Sequence, residues 1–91
     1  MEITDWRSEI DVIDREILQL LKRRATTVTK IGKQKAEKGL PLVDEERERQ
    51  ILKRIETECD LVLPVETASS IFRCIMEQSK QIQAQLIAEM C

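Results

Sequence analysis

The stretch from Thr4 to Lys38, TDWRSEIDVIDREILQLLKRRATTVTKIGKQKAEK, decides the fold. It holds no proline and a single glycine, Gly32, and its apolar residues recur at Trp6, Ile10, Ile13, Ile17, Leu20, Leu21, Val28 and Ile31. Steps of three and four are the period of an α-helix with one apolar face, and Thr4 stands where a side chain would cap the first turn. At 1.5 Å per residue the segment spans roughly 50 Å, far beyond an average globular helix. Two shorter helices of the same chain cannot cover that length, so the spacing predicts a helix that needs a second copy.

Gly39 supplies a stop and Leu40-Pro41 cannot continue the helix, which makes Gly39 to Val43 a connection. Asp44 caps a second helix whose first turn, Glu45-Glu46, complements the positive end of the helix dipole. Its apolar positions are Ile51, Leu52 and Ile55, and it should end near Cys59. Pro64 suits the first position of a third helix running to about Met90, with Ala68, Phe72, Ile75, Met76, Leu86 and Met90 on one stripe. The expected architecture is all-α: one very long helix, one short and one medium-long, forming an intertwined antiparallel homodimer. Residues 1–91 read as one domain.

Composition narrows the function. Hydrophobic residues make up 42% but aromatics only 2%, so burial rests on Leu, Ile and Val. Fifteen basic and seventeen acidic residues give a net charge of -2, which offers no broad surface for nucleic acid or an anionic membrane. An anionic ligand must be caught locally. Histidine is absent and Cys59, Cys74 and Cys91 lack CxxC spacing, so neither a zinc site nor a Cys-His pair can form, and no cofactor is expected. Free cysteines, no leader-like N-terminus and no apolar run near the ~20 residues of a bilayer span point to the cytoplasm. Cys91 has no residues after it to form a prenylation box.

Polar residues interrupt every apolar stripe. Continuing the first helix by threes and fours reaches Arg24 and Lys35, eleven residues apart, which share a face to within about 20° and lie roughly 16 Å apart along the axis. Ser79 and Gln83 fall on the third helix's line from Phe72 through Ile75 and Met76 to Leu86. Stepping back along the second helix from Ile51 reaches Asp44, Arg47 and Glu48. Each has an ordinary explanation taken singly: a cation snorkelling at a stripe's edge, a satisfied core amide or hydroxyl, a cap. A shared polar pocket accounts for them jointly. Arg7 sits roughly 25 Å from Arg24 and 42 Å from Lys35 along the helix. It is either an exposed partner of Asp11 or a contribution to the pocket of a second chain. Antiparallel pairing of two first helices would then put the two-fold axis close to Leu18.

Arg7 with IDVID (10–14), LLKRR (20–24), IGKQK (31–35), VDEERER (43–49) and IMEQSKQIQ (75–83), in that order and spacing, resemble the bacterial all-helical chorismate mutases along nearly the whole chain. The resemblance implies an intertwined three-helix dimer that converts chorismate to prephenate. It implies that Arg24 and Arg7 of the other chain hold the two substrate carboxylates, with Ser79 and Asp44 assisting. Lys35 and Gln83 would meet the ether oxygen, Glu48 the ring hydroxyl, and Arg47 would support the acidic residues. A Claisen rearrangement needs no nucleophile, metal or proton transfer, which agrees with what the chain lacks. Isochorismate pyruvate-lyases and 4-amino-4-deoxychorismate mutases use related dianions on the same scaffold, and a non-catalytic dimerisation module is a third reading, in which the polar residues only set register.

Overall fold

A computed structural model describes residues 2–90, with the side chain of Met90 excepted. Met1, Cys91 and the place of Met90 on the third stripe lie outside the described residues. The elements are three helices: α1, Ile3–Lys38; α2, Glu45–Glu58; and α3, Val65–Met90.

The 36 residues of α1 are continuous. At 1.5 Å each they span about 54 Å, and the longest dimension of the chain is 54 Å. The helix begins earlier than Thr4 as a cap would allow. Glu2 occupies the cap position, and the Asp5 carboxylate reaches back to accept the Glu2 amide hydrogen at 2.9 Å. Thr4 is thus inside the helix, and its carbonyl accepts the Ser8 hydroxyl. At the other end Gly39 takes a left-handed conformation with φ 68°, and the Gly39 and Leu40 amides donate to the Ala36 and Lys35 carbonyls. That pair of bonds is the Schellman stop, which glycine adopts without steric cost.

Asp44 caps α2 as its position foretells, its side chain accepting the Arg47 amide at 3.0 Å. Between α2 and α3 the Asp60 carboxylate accepts the amides of Val62 and Leu63 and turns the chain. Pro64 is not the first helical residue. It stands just before Val65, where its carbonyl accepts the Ala68 amide, so its missing N–H falls outside the ladder.

α1 and α2 each pack on α3 and not on each other. Among the described residues the buried apolar ones are few: Ile55, Ala68 and Met76. Only the C-terminal part of α1, from Arg24 onward, is covered, whereas residues 2–23 are exposed throughout. This leaves Trp6, Ile10, Ile13, Ile17 and Leu20 as an apolar stripe facing solvent. No helix among the described residues is long and apolar enough to cross a membrane.

Candidate functional site

Where the covered part of α1 meets α3 and the start of α2, a cleft of about 460 Å³ opens. Its walls carry Arg24 and Lys35 from α1, Asp44 from the connection, Arg47 and Glu48 from α2, and Ser79 and Gln83 from α3. Seven of the eight residues singled out from the sequence therefore meet at one place. The eighth, Arg7, does not line it. On an unbroken helix Arg7 stays about 25 Å from Arg24.

Each polar side chain is held for a reason that can be read from its neighbours. The Arg24 guanidinium donates to the Ser79 hydroxyl at 2.5 Å, and that hydroxyl donates in turn to the Ile75 carbonyl. Ser79 thus fixes the guanidinium from below, a relay that ties α1 to α3. The Lys35 ammonium donates to the Leu42 carbonyl at 3.1 Å, so the connection after α1 folds back over the end of the helix. Two of its three hydrogens remain for a ligand. Gln83, 7% exposed, donates an amide hydrogen to the Val28 carbonyl at 3.1 Å. Its second amide hydrogen stays uncommitted.

That last contact depends on Gly32, the one buried residue of α1. A Cβ there would come within 3.1 Å of the Gln83 Cγ. A glycine in a helix interior costs about 1 kcal/mol relative to alanine, and its place one turn after Val28 was the signal of a close crossing that the periodicity reading passed over. Lys80 was also missed, although a step of four from Met76 reaches it. It lines the cleft and pairs with Glu48 at 2.8 Å. Leu42 acts through its backbone, and no side-chain pattern would have revealed it.

The electrostatics are lopsided in favour of anions. Arg24, Lys35, Arg47 and Lys80 face only two carboxylates, Asp44 and Glu48, an excess of two positive charges in a chain whose net charge is -2. Among the described residues the ion pairs are Arg49 with Glu46, and Lys80 with Glu48 and Glu77. Arg24, Lys35 and Arg47 thus have no carboxylate partner there, and neither has Arg7. The Lys80 ammonium is held above its usual 10.5 by the hydrogen bond to Glu48 and the nearby carboxylates of Glu77 and Glu45, against the opposing effect of burial. Among the described residues no cluster of His, Cys, Asp or Glu could hold a metal ion. The cleft can therefore bind a compact dianion through unpaired cations and offer hydrogen bonds to its uncharged oxygens.

A second, apolar hollow of about 380 Å³ adjoins the cleft and shares Arg24 and Ser79 with it. Leu18, Leu21, Ile75 and Ile82 are among its walls.

Known proteins resemble the chain along most of its length. The family described as chorismate mutase type II matches residues 6–84. The solved structure of form II of the chorismate mutase from Thermus thermophilus superposes with a TM-score of 0.87 at 35% identity, covering 90% of this chain and 93% of that one. The chorismate mutase of Methanocaldococcus jannaschii is 30% identical over 89 residues, which take in 97% of this chain and 90% of that protein. The T-protein of Haemophilus influenzae is 45% identical over 58 residues, 62% of this chain but only 15% of that much longer protein.

Proposed function

The chain belongs to the chorismate mutase type II family, and from that premise we propose that it converts chorismate to prephenate in the cleft between α1, α2 and α3. The observation that carries the reading is the gathering of Arg24, Lys35 and Arg47, none with a carboxylate partner among the described residues, around a space of about 460 Å³. A dimerisation module would spread such groups along a seam between chains. Here they converge on one cavity, as the binding of a small dianion requires.

In the rearrangement a C–O bond breaks as a C–C bond forms, and no proton moves. Catalysis therefore reduces to holding the flexible enolpyruvyl group over the ring and stabilising charge on the departing ether oxygen. Arg24, braced by Ser79, takes one substrate carboxylate. Lys35 of α1 and Gln83 of α3 donate to the ether oxygen, Lys35 with a full charge and Gln83 with the amide hydrogen left over from its bond to Val28. Both donors are anchored beforehand, so they stabilise the transition state with little reorganisation. Glu48 accepts from the ring hydroxyl. Asp44 contributes mainly by capping α2, the helix that carries Arg47 and Glu48, and Arg47 adds to the positive field of the cleft.

Arg7 completes the site from a second copy, and the working form is a homodimer. Two features support this. The apolar stripe on residues 3–23 has nothing in its own chain to cover it, and the hollow lined by Leu18 and Leu21 leads straight to Arg24 and Ser79. A second α1 lying antiparallel there would bring its own Arg7 toward the cleft. We read the chain as a single cytoplasmic mutase domain serving aromatic amino-acid synthesis, with Cys59 and Cys74 as free thiols.

The test is to supply chorismate, isochorismate and 4-amino-4-deoxychorismate separately and identify the products. Prephenate from chorismate is expected. Pyruvate released from isochorismate as the main product would overturn the assignment in favour of a lyase.

A further inference from the structure

Of the four cations lining the cleft, Lys80 alone has a carboxylate partner among the described residues. Its ammonium lies 2.8 Å from Glu48 Oε1, spanning from α3 to α2, with Glu77 of α3 at 3.9 Å on its other side. Both side chains are largely covered, Lys80 at 34% exposure and Glu48 at 27%. The pair forms part of the wall of the cleft. Arg24, Lys35 and Arg47 are left for the substrate, while the charge of Lys80 is already committed.

Glu48, read above as the acceptor of the ring hydroxyl, keeps one carboxylate oxygen that Lys80 does not engage. An unpaired carboxylate in such a place binds an ammonium group more strongly than a hydroxyl, since attraction between full charges exceeds that between a charge and a dipole. With Lys80 beside it the charge of Glu48 is offset at close range, with Glu77 farther off on the other side of the ammonium. The second Glu48 oxygen can still accept an O–H hydrogen, but an incoming ammonium would meet a like charge at close range.

We propose that Lys80 is a specificity-determining residue of the cleft: by pairing with Glu48 it selects a substrate carrying a neutral hydroxyl on the ring over one carrying an ammonium there. The inference rests on the rearrangement proposed above and names what decides between chorismate and its 4-amino analogue. Lys80 acts through Glu48 and touches no reacting atom.

The experiment compares kcat/KM for chorismate and for 4-amino-4-deoxychorismate in the wild-type protein, Lys80→Met and Lys80→Arg, with circular dichroism to establish that each is folded. The wild type should favour chorismate. Lys80→Met should shift the ratio toward the amino analogue by about fivefold or more, and Lys80→Arg, which keeps the charge, should restore the wild-type preference. An unchanged ratio in folded Lys80→Met, with chorismate still turned over, overturns the proposal alone. A rise in KM for both substrates by the same factor also overturns it, by making Lys80 a carboxylate ligand. Wild-type protein inert toward chorismate overturns the function and, with it, this inference.

Discussion

Residues 3–23 and 24–38 of α1 are one continuous helix with one apolar period, yet they end in opposite environments. Along the first part the stripe is purely apolar and open to solvent, with Ile10 at 54% and Leu20 at 58% exposure. Along the second it carries Arg24 and Lys35 in place of leucine, and α3 covers it so closely that Gly32 is buried under Gln83. The difference follows from length. α3 has 26 residues and α2 has 14, and α2 packs on α3 rather than on α1, so the chain's own helices shield only part of α1. The covered part carries Arg24 and Lys35, which line the cleft. The uncovered part holds apolar side chains, each worth on the order of 2 kcal/mol when buried, that only another chain can take up.

The comparison can be broken most decisively in the uncovered part. Ile13→Asp puts a carboxylate into the apolar stripe, and it should abolish turnover and give a monomer in sedimentation. A monomeric variant with full activity would show that the covered part works unaided. Next in size is a change on the covered side. Lys35→Ala should lower kcat by about 10²- to 10³-fold with an unchanged helical spectrum, and retention of most turnover would remove Lys35 from the ether oxygen.

The two parts can then be tested for joint action across chains. Mixing inactive Arg7→Ala protein with inactive Lys35→Ala protein, and allowing subunit exchange, should recover about a quarter of the wild-type activity, one complete site in each mixed dimer. Absence of any recovery after proven exchange would mean that Arg7 and Lys35 do not serve one site. The smallest expected effect sharpens the comparison within the covered part. Gly32→Ala should hold or raise Tm through helix propensity, while kcat falls about threefold as the new Cβ displaces the Gln83 amide. Loss of both Tm and activity would make Gly32 a packing residue only.

Much of this was legible in the residues themselves. Helix period, the glycine stop at Gly39 and the Asp44 cap each depend on groups within a few positions of one another, and all three elements follow from them. The errors at the ends of helices have the same local origin. Thr4 and Pro64 are both plausible start signals, but the Asp5 carboxylate extends α1 back to Glu2, and Pro64 serves better one position outside α3. The site was legible as a set of polar interruptions on apolar stripes, because a charged or amide side chain is costly at a position that otherwise packs. It was not legible as an arrangement. The sequence offered Ser79 as a polar group on the inward stripe, but not that it accepts from Arg24 while donating to the Ile75 carbonyl.

By itself, then, the sequence determined that the chain forms three helices, that the first is too long for the other two to cover, and which polar residues lie on the inward faces. These are consequences of short-range hydrogen bonding and of a period of 3.6 residues. Only the tertiary structure decided that Gln83 crosses over Gly32 to reach Val28, that Arg24 leans on Ser79 from the opposite helix, and that Lys80 commits itself to Glu48. The first two join residues 55 positions apart. Such contacts depend on how closely two helices cross and on which rotamer each long side chain adopts there, and no local pattern fixes either.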